Sequence, residues 1–249
     1  DPLPVQYVRF LKGALVGDFG TSYYYNEPAM SVVLERAPAT LTLACAALLI
    51  SVVLGIPAGI VAAVKRNSVS DAVIRVLALL GQCMPAFWLG IMLIMLFAVK
   101  LGWMPTGGAE DGLRSLILPA FTLGVFSAAT ICRLLRSNLI EVLGKEYIDV
   151  AKAKGLPKSK IIGKHALKNA MSSIITILGM QFASLLGGSV ITEQVFAWPG
   201  VGRLVIQSIT TSDFAVVECI VFLMAVIFVV INFIVDVLYC VINPRVRLQ

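Results

Sequence analysis

The side chains that could do chemistry are few, and most are scattered. His165 is the only histidine, so no zinc or nickel ligand set can be built around it. Cys45, Cys83, Cys132, Cys219 and Cys240 fall in or beside apolar segments, none at metal-ligand spacing, and read as small packed side chains. No H-E-x-x-H and no carboxylate pair lies in an apolar run, so an intramembrane protease or hydrolase lacks its parts. There is no G-x-x-x-x-G-K-[ST] phosphate loop, so any ATP used must bind another chain. No metal, no cofactor and no catalytic residue is expected. What remains is a charged island at 147–170, Y-I-D-V-A-K-A-K-G-L-P-K-S-K-I-I-G-K-H-A-L-K-N-A. Seven lysines and His165 lie between Lys145 and Lys168. Gly155, as a helix C-cap, and Pro157 split the island into two short helical pieces. A helix over 145–154 puts Tyr147, Val150, Ala151 and Lys154 on one face, with Asp149 and the lysines available for ion pairs. The second piece, 159–169, ties that helix to the following apolar run. A basic, structured loop of this kind suits a surface that another protein grips.

Around the island the chain is built for hydrocarbon. Of its 249 residues 59% are hydrophobic and 14% charged, too little polar surface for a soluble domain of this length. Uncharged runs at 40–64, 76–99, 116–132 and 170–192, and a fifth at 214–242 with Glu218 and Asp236 towards its ends, predict five helical spans. The first alone is about 37 Å long as a helix. Of the 20 basic residues, 14 fall in the loops after the first, third and fifth runs, among them Arg75, Arg133, Arg136 and the island lysines. The positive-inside rule places these in the cytoplasm, with the C-terminus. The net charge of +6 therefore reports topology, and nucleic acid is not an expected partner. Residues 1–39 then lie outside. An outside N-terminus without a signal predicts one further helix upstream of Asp1, six spans in all. Gly55 and Gly59, and Gly179, Ala183 and Gly187, form small-residue stripes for helix packing within the bundle, with dimerisation as the alternative. Pro57, Pro85 and Pro119 are expected to bend or locally open their helices. Gln82, Gln181 and Asn232 are polar groups inside spans; each either bonds a neighbouring helix or lines a polar path.

A second motif, E-Q-V-F-A-W-P-G-V-G-R, runs from Glu193 to Arg203. Pro199, Gly200 and Gly202 enforce a tight turn, while Phe196 and Trp198 are expected at the membrane interface. It resembles the E-x-V-F-x-x-P-G-[LV]-G signature of peptide and nickel permeases among ABC importers. G-D-F-G-T-S from Gly17, E-R-A-P-A-T-L to Leu41, M-P-A-F-W-L-G from Met84 and N-P-R-V-R-L from Asn243 are similar to that family's other motifs, in the same order. Where the family often has Asp-Tyr-Pro, this chain has Asp213, Phe214 and Ala215. The island resembles the family's EAA loop, with Asp149, Val150 and Ala151 at the triplet and Gly155 at its glycine; H-A-L-K-N-A, 165–170, matches the peptide and nickel branch more closely.

The resemblance implies an all-α polytopic bundle of the type I importer permease kind, in the cytoplasmic (inner) membrane. It divides the chain into an extracytoplasmic segment, 1–39, and a transmembrane domain, 40–249, with a cytoplasmic coupling loop at 137–169 and an extracytoplasmic loop at 193–213. It further implies a homologous permease subunit, two ABC ATPase subunits and an extracytoplasmic solute-binding protein as partners. The substrate class implied is dipeptides or oligopeptides, with nickel or nickel chelates as the alternative. The competing reading, a stand-alone channel or secondary transporter, requires ionisable groups near the bilayer midplane, and none of the five runs has one at its centre.

Overall fold

The computed structural model describes residues 2–242. The N-P-R-V-R-L motif with Arg245 and Arg247 lies outside the described residues, as do the side chains of Asp236 and Cys240. The chain is helical throughout, and a single isolated bridge, Thr21 to Pro28, is the only β pairing among the described residues. A short helix α1 (Leu3–Leu15) precedes α2 (Ala29–Val64), a 36-residue rod. The apolar run begins at Thr40, but α2 begins at Ala29, because Glu35 and Arg36 are good helix formers and Pro28 supplies the natural start. Next come α3 (Val69–Cys83) and α4 (Ala86–Leu93), the latter continued by a π-helical stretch, Ile94–Lys100. Then follow α5 (Leu113–Leu143), α6 (Glu146–Ala153) and α7 (Lys158–Lys160). A second π-helical stretch, Ile161–Ala166, leads into α8 (Leu167–Gly188). The chain finishes with α9 (Val190–Val195), α10 (Val201–Thr210) and α11 (Phe214–Ile242).

Three single helices can cross a membrane, and two bent pairs bring the number to five when each pair is taken as one span. Helices α2, α5 and α11 are each long and apolar enough to cross a membrane. The run at 76–99 is a pair, α3 and α4 with its π extension, turned by 103° at Met84–Pro85. Proline disfavours helical geometry in the residue before it, and Met84 is extended with ψ 127°. Lys158–Met171 and Ser173–Gly187 form the other pair, bent by 51°. Of the three prolines expected to open a helix, Pro85 does so; Pro57 and Pro119 sit inside unbroken α2 and α5.

The α2–α5 contact is the main axis of the bundle. A Cβ on Gly55 would stand 2.7 Å from the Ala128 carbonyl oxygen, and one on Gly59 2.9 Å from that of Cys132. On the facing helix, a Cβ on Gly124 would stand 2.9 Å from the Ala47 oxygen. The G-x-x-x-G stripe thus packs inside this chain. In the second stripe, Gly179 meets Val235 of α11 and Ala183 is buried, whereas Gly187 faces open space.

A buried ion pair, invisible as such in the apolar pattern, locks α3 to α5. Asp71 is fully buried and takes both Nε (2.7 Å) and Nη2 (2.8 Å) of Arg136. The Asn67 N–H donates to its second oxygen at 3.0 Å, and Arg75 flanks it at 3.4 Å. Ser68 caps α3 by accepting the Asp71 N–H, so Ser68-x-x-Asp71 was the available sequence signal. Removing one partner leaves a buried charge unpaired. D71A or R136A should each destabilise the folded protein by about 3–5 kcal/mol, and the double variant by less than the sum. Thermal unfolding of the purified chain in detergent checks this; additive losses would refute the coupling.

Candidate functional site

One end of the bundle carries α6. Its C-terminus closes as a Schellman motif: the Gly155 N–H donates to Lys152 O at 2.9 Å and the Leu156 N–H to Ala151 O at 3.3 Å. Gly155 adopts φ +75°, a conformation that side chains strain. Ile148 and Ala151 are buried against Leu139, Val142, Ile161 and Ala166. The expected face of Tyr147, Val150, Ala151 and Lys154 is therefore split. Tyr147, Val150 and Lys154 are exposed, while Ala151 turns inward and seats the helix. In so short a helix, 148 and 151 form as good an apolar pair as 150 and 151; the cluster beneath selects the former. Asp149 pairs with Lys152 of its own helix at 2.7 Å. The Asn169 amide donates to the Tyr147 hydroxyl at 2.8 Å, tying α6 to the start of α8.

At the opposite end, motifs far apart in sequence converge on Glu193, whose side chain is wholly buried. Its Oε1 accepts from the hydroxyls of Thr40 and Ser189, each at 2.9 Å, and its Oε2 from the Arg203 N–H at 3.0 Å. Thr40 in turn accepts the Val201 N–H at 2.8 Å. The N-cap position of α10 is Gly200, which has no side chain to cap with. Thr40 from α2 and Glu193 from α9 supply the missing acceptors. A Cβ on Gly200 would collide with the Glu193 carboxylate, and one on Gly202 would stand 2.7 Å from Val190 Cα. The turn is glycine because the latch fills the space.

Phe196 and Trp198 are buried here, 2% and 5% exposed, so the fold itself covers both rings. The Trp198 indole N–H finds the Ala39 carbonyl at 2.9 Å, so the ring has both an apolar pocket and a polar partner inside the fold. Gly90 of M-P-A-F-W-L-G lies against the Phe196 ring. Pro199 is half-buried in the turn. A parallel latch ties the α1–α2 loop to the α10–α11 turn: Ser22 donates to buried Asp213, which also accepts the Tyr24 N–H at 3.3 Å. Burial alone would raise the Asp213 pKa, but hydrogen bonds from Ser22 and the backbone of Tyr24, Tyr23 and Val216 prevail and hold it below its ordinary value. Thr40, Ser22 and Asp213 are the residues that motif spacing did not assign a partner.

The three polar residues inside spans divide. Gln82 donates to Thr130 of α5 at 2.9 Å, a helix–helix bond, and Asn232 donates back to Phe228 O of its own helix at 2.8 Å. The Gln181 amide nitrogen is buried without a partner among the described residues. No cluster of three or more His, Cys, Asp or Glu is placed to hold a metal among the described residues.

A five-span all-helical bundle with a small amphipathic helix seated across one end is the fold of an ABC importer permease. The methionine ABC transporter MetNI, in inward-facing conformations, shares it with a TM-score of 0.73 at 19% identity, over 86% of this chain and 97% of that one. An amino acid ABC transporter crystallised with histidines gives 0.64 at 18%, over 87% and 94%. Residues 55–248 match the binding-protein-dependent transport system inner membrane component family, to which the chain belongs. It is 42% identical over 246 residues to the glutathione transport system permease protein GsiC of Salmonella paratyphi A, 99% of this chain and 80% of that protein. The Escherichia coli K12 protein of the same description is 41% identical over the same length. The chain is a multi-pass permease subunit of the inner membrane.

The latch predicts a specific weakness. The Arg203 N–H, unlike the Thr40 and Ser189 hydroxyls, cannot turn to another role, and E193L removes its acceptor. This variant should lower stability by about 1–3 kcal/mol, as should T40V. Thermal unfolding followed by tryptophan fluorescence checks both, against Q194A at an exposed position as the unchanged control.

Proposed function

We propose that this permease forms half of a pathway for dipeptides or oligopeptides, facing a homologous permease subunit and driven by two separate ABC ATPase subunits. The α6 end lies in the cytoplasm with the C-terminus, and the Glu193 latch lies outside, where a solute-binding protein delivers its cargo. In this reading 1–39 is extracytoplasmic and 40–249 is the transmembrane domain, with coupling loop 137–169 and outer loop 193–213. The peptide class is supported by the 42% identity to a glutathione permease, glutathione being a tripeptide.

The observation that carries the mechanism is the split of α6. One face is buried in the bundle, and Tyr147, Val150 and Lys154 are exposed on the other, at the end closed by the Gly155 cap. A helix seated this way transmits a push on its outer face to α5 and α8 through Ile148, Ala151 and the Tyr147–Asn169 bond. Closure of two ATPases draws a pair of such helices together and biases the bundle between inward- and outward-facing states.

The two faces give opposite mutational signatures. V150D should abolish uptake and co-purification of the ATPase while leaving thermal stability unchanged. Ala151→Phe should instead lower stability by about 1–3 kcal/mol through overpacking. Gly155→Val, forcing a β-branched residue to φ +75°, should abolish uptake with insertion intact. Normal uptake of a radiolabelled dipeptide by both V150D and Gly155→Val in the assembled transporter would remove the coupling role. Sidedness has its own readout. In a cysteine-free background, a membrane-impermeant maleimide should label Gln194→Cys in intact cells and Lys160→Cys only after lysis; the reverse pattern overturns the topology.

A further inference from the structure

Beside the Glu193 latch lies a polar cavity of about 330 Å³, lined by Tyr24, Tyr25, Arg36, Arg203 and Gln207 at the Pro199–Gly200 turn. Its composition is unusual for a cleft at the end of a membrane bundle: two guanidinium groups, two phenols and an amide. Neither Arg36 nor Arg203 has a carboxylate within ion-pair reach among the described residues. Arg203 donates Nη1 to the Ala197 carbonyl at 2.8 Å, which fixes the side chain and leaves the rest of its fork unused.

Two buried acids lie nearby, and neither forms an ion pair with these arginines among the described residues. Glu193 lies behind Gly200 with its oxygens filled by Thr40, Ser189 and the Arg203 backbone. Asp213 takes the Ser22 hydroxyl and the Tyr24 N–H on Oδ2, while its Oδ1 is buried without a hydrogen-bond partner among the described residues. The cavity walls are also fixed in advance. The Tyr25 N–H donates to Ser22 Oγ at 2.9 Å, and the Tyr24 and Tyr25 rings pack edge to face at 5.0 Å. The Arg203 backbone is pinned by Glu193. Two like charges held around one concavity by a preformed scaffold repel each other when it is empty and are satisfied when an anion enters. Planar guanidinium forks favour a planar, two-oxygen anion.

We propose that this cavity is a carboxylate cradle, in which Arg36 and Arg203 grip a carboxylate arriving from outside and Gln207 and the tyrosines complete the site. The inference rests on the reading of the protein as a peptide permease with this end extracytoplasmic. That setting offers two sources of the same group: the C-terminal carboxylate of the peptide being handed over, and an acidic side chain of the binding protein that delivers it.

The test uses the permease assembled with its partner subunits in nanodiscs and proteoliposomes, comparing wild type, R36Q/R203Q and R36K/R203K. Two quantities are read. One is the binding-protein concentration that half-maximally stimulates ATP hydrolysis. The other is the uptake ratio of a dipeptide free acid to the same dipeptide as its C-terminal amide. Losing charge-assisted bonds to a carboxylate should change one of these about tenfold in R36Q/R203Q, with partial recovery in R36K/R203K, which keeps the charge but not the fork. A shift in the first quantity assigns the group to the binding protein, and a collapse of the second to the peptide. If both stay within twofold of wild type, the cradle is refuted. Should R36Q/R203Q fail to assemble, R36K/R203K supplies the same two readings. Absence of peptide uptake by the wild type at any binding-protein concentration would refute the peptide reading instead, and the stimulation curve would still report on the cradle.

Discussion

Close approach of α2 and α5 is the constraint from which the rest of the molecule follows. In hydrocarbon no hydrophobic drive brings helices together, so contact depends on backbone surfaces fitting at short range. Gly55, Gly59 and Gly124 remove the side chains that would hold the two rods apart. With that axis set, α3 is drawn in by the Asp71–Arg136 pair, and α8 packs alongside α5. The lower part of α5 becomes the floor on which Ile148 and Ala151 seat α6. The upper part of α2 brings Thr40 to the place where α10 needs a cap.

The two ends of the bundle solve opposite problems. At the α6 end, a short helix is seated on the bundle while one of its faces stays exposed. The structure does this by burying two of its residues and leaving a three-residue stripe exposed. At the other end, irregular backbone must turn tightly without exposing unsatisfied polar groups. Here Glu193, Thr40, Ser189 and the Trp198 indole provide acceptors and donors from several helices at once. A buried carboxylate with only donors around it is costly to break, so this end is a fixed scaffold rather than a loose loop. The arginine-lined cavity is built on that scaffold.

The pattern of apolar runs carried the number of spans, and motif order carried the family. Both are legible because they depend on composition and on local turn chemistry. The stripe at Gly55 and Gly59, the stop at Gly155 and the break at Pro85 are of the same kind: each residue's backbone preference acts within a few positions. Even the Ser68-x-x-Asp71 cap could be read, although its use as half of a buried ion pair could not.

What the tertiary structure alone decided is which face and which partner. Ala151 and Val150 are neighbours on the same short helix, and only the cluster beneath α6 chose Ala151 as the one to bury. Phe196 and Trp198 have the chemistry of interfacial residues, and a pocket formed by α2 and α4 covers both rings. Thr40 and Glu193 stand 153 positions apart, and Ser22 and Asp213 stand 191 apart. No local rule links residues at such distances, because their meeting depends on how five spans pack. By itself the sequence determined a five-span importer permease with a basic loop and a glycine turn. The packing of the bundle determined that the turn is held by a buried carboxylate, and that two arginines are left facing an open cavity.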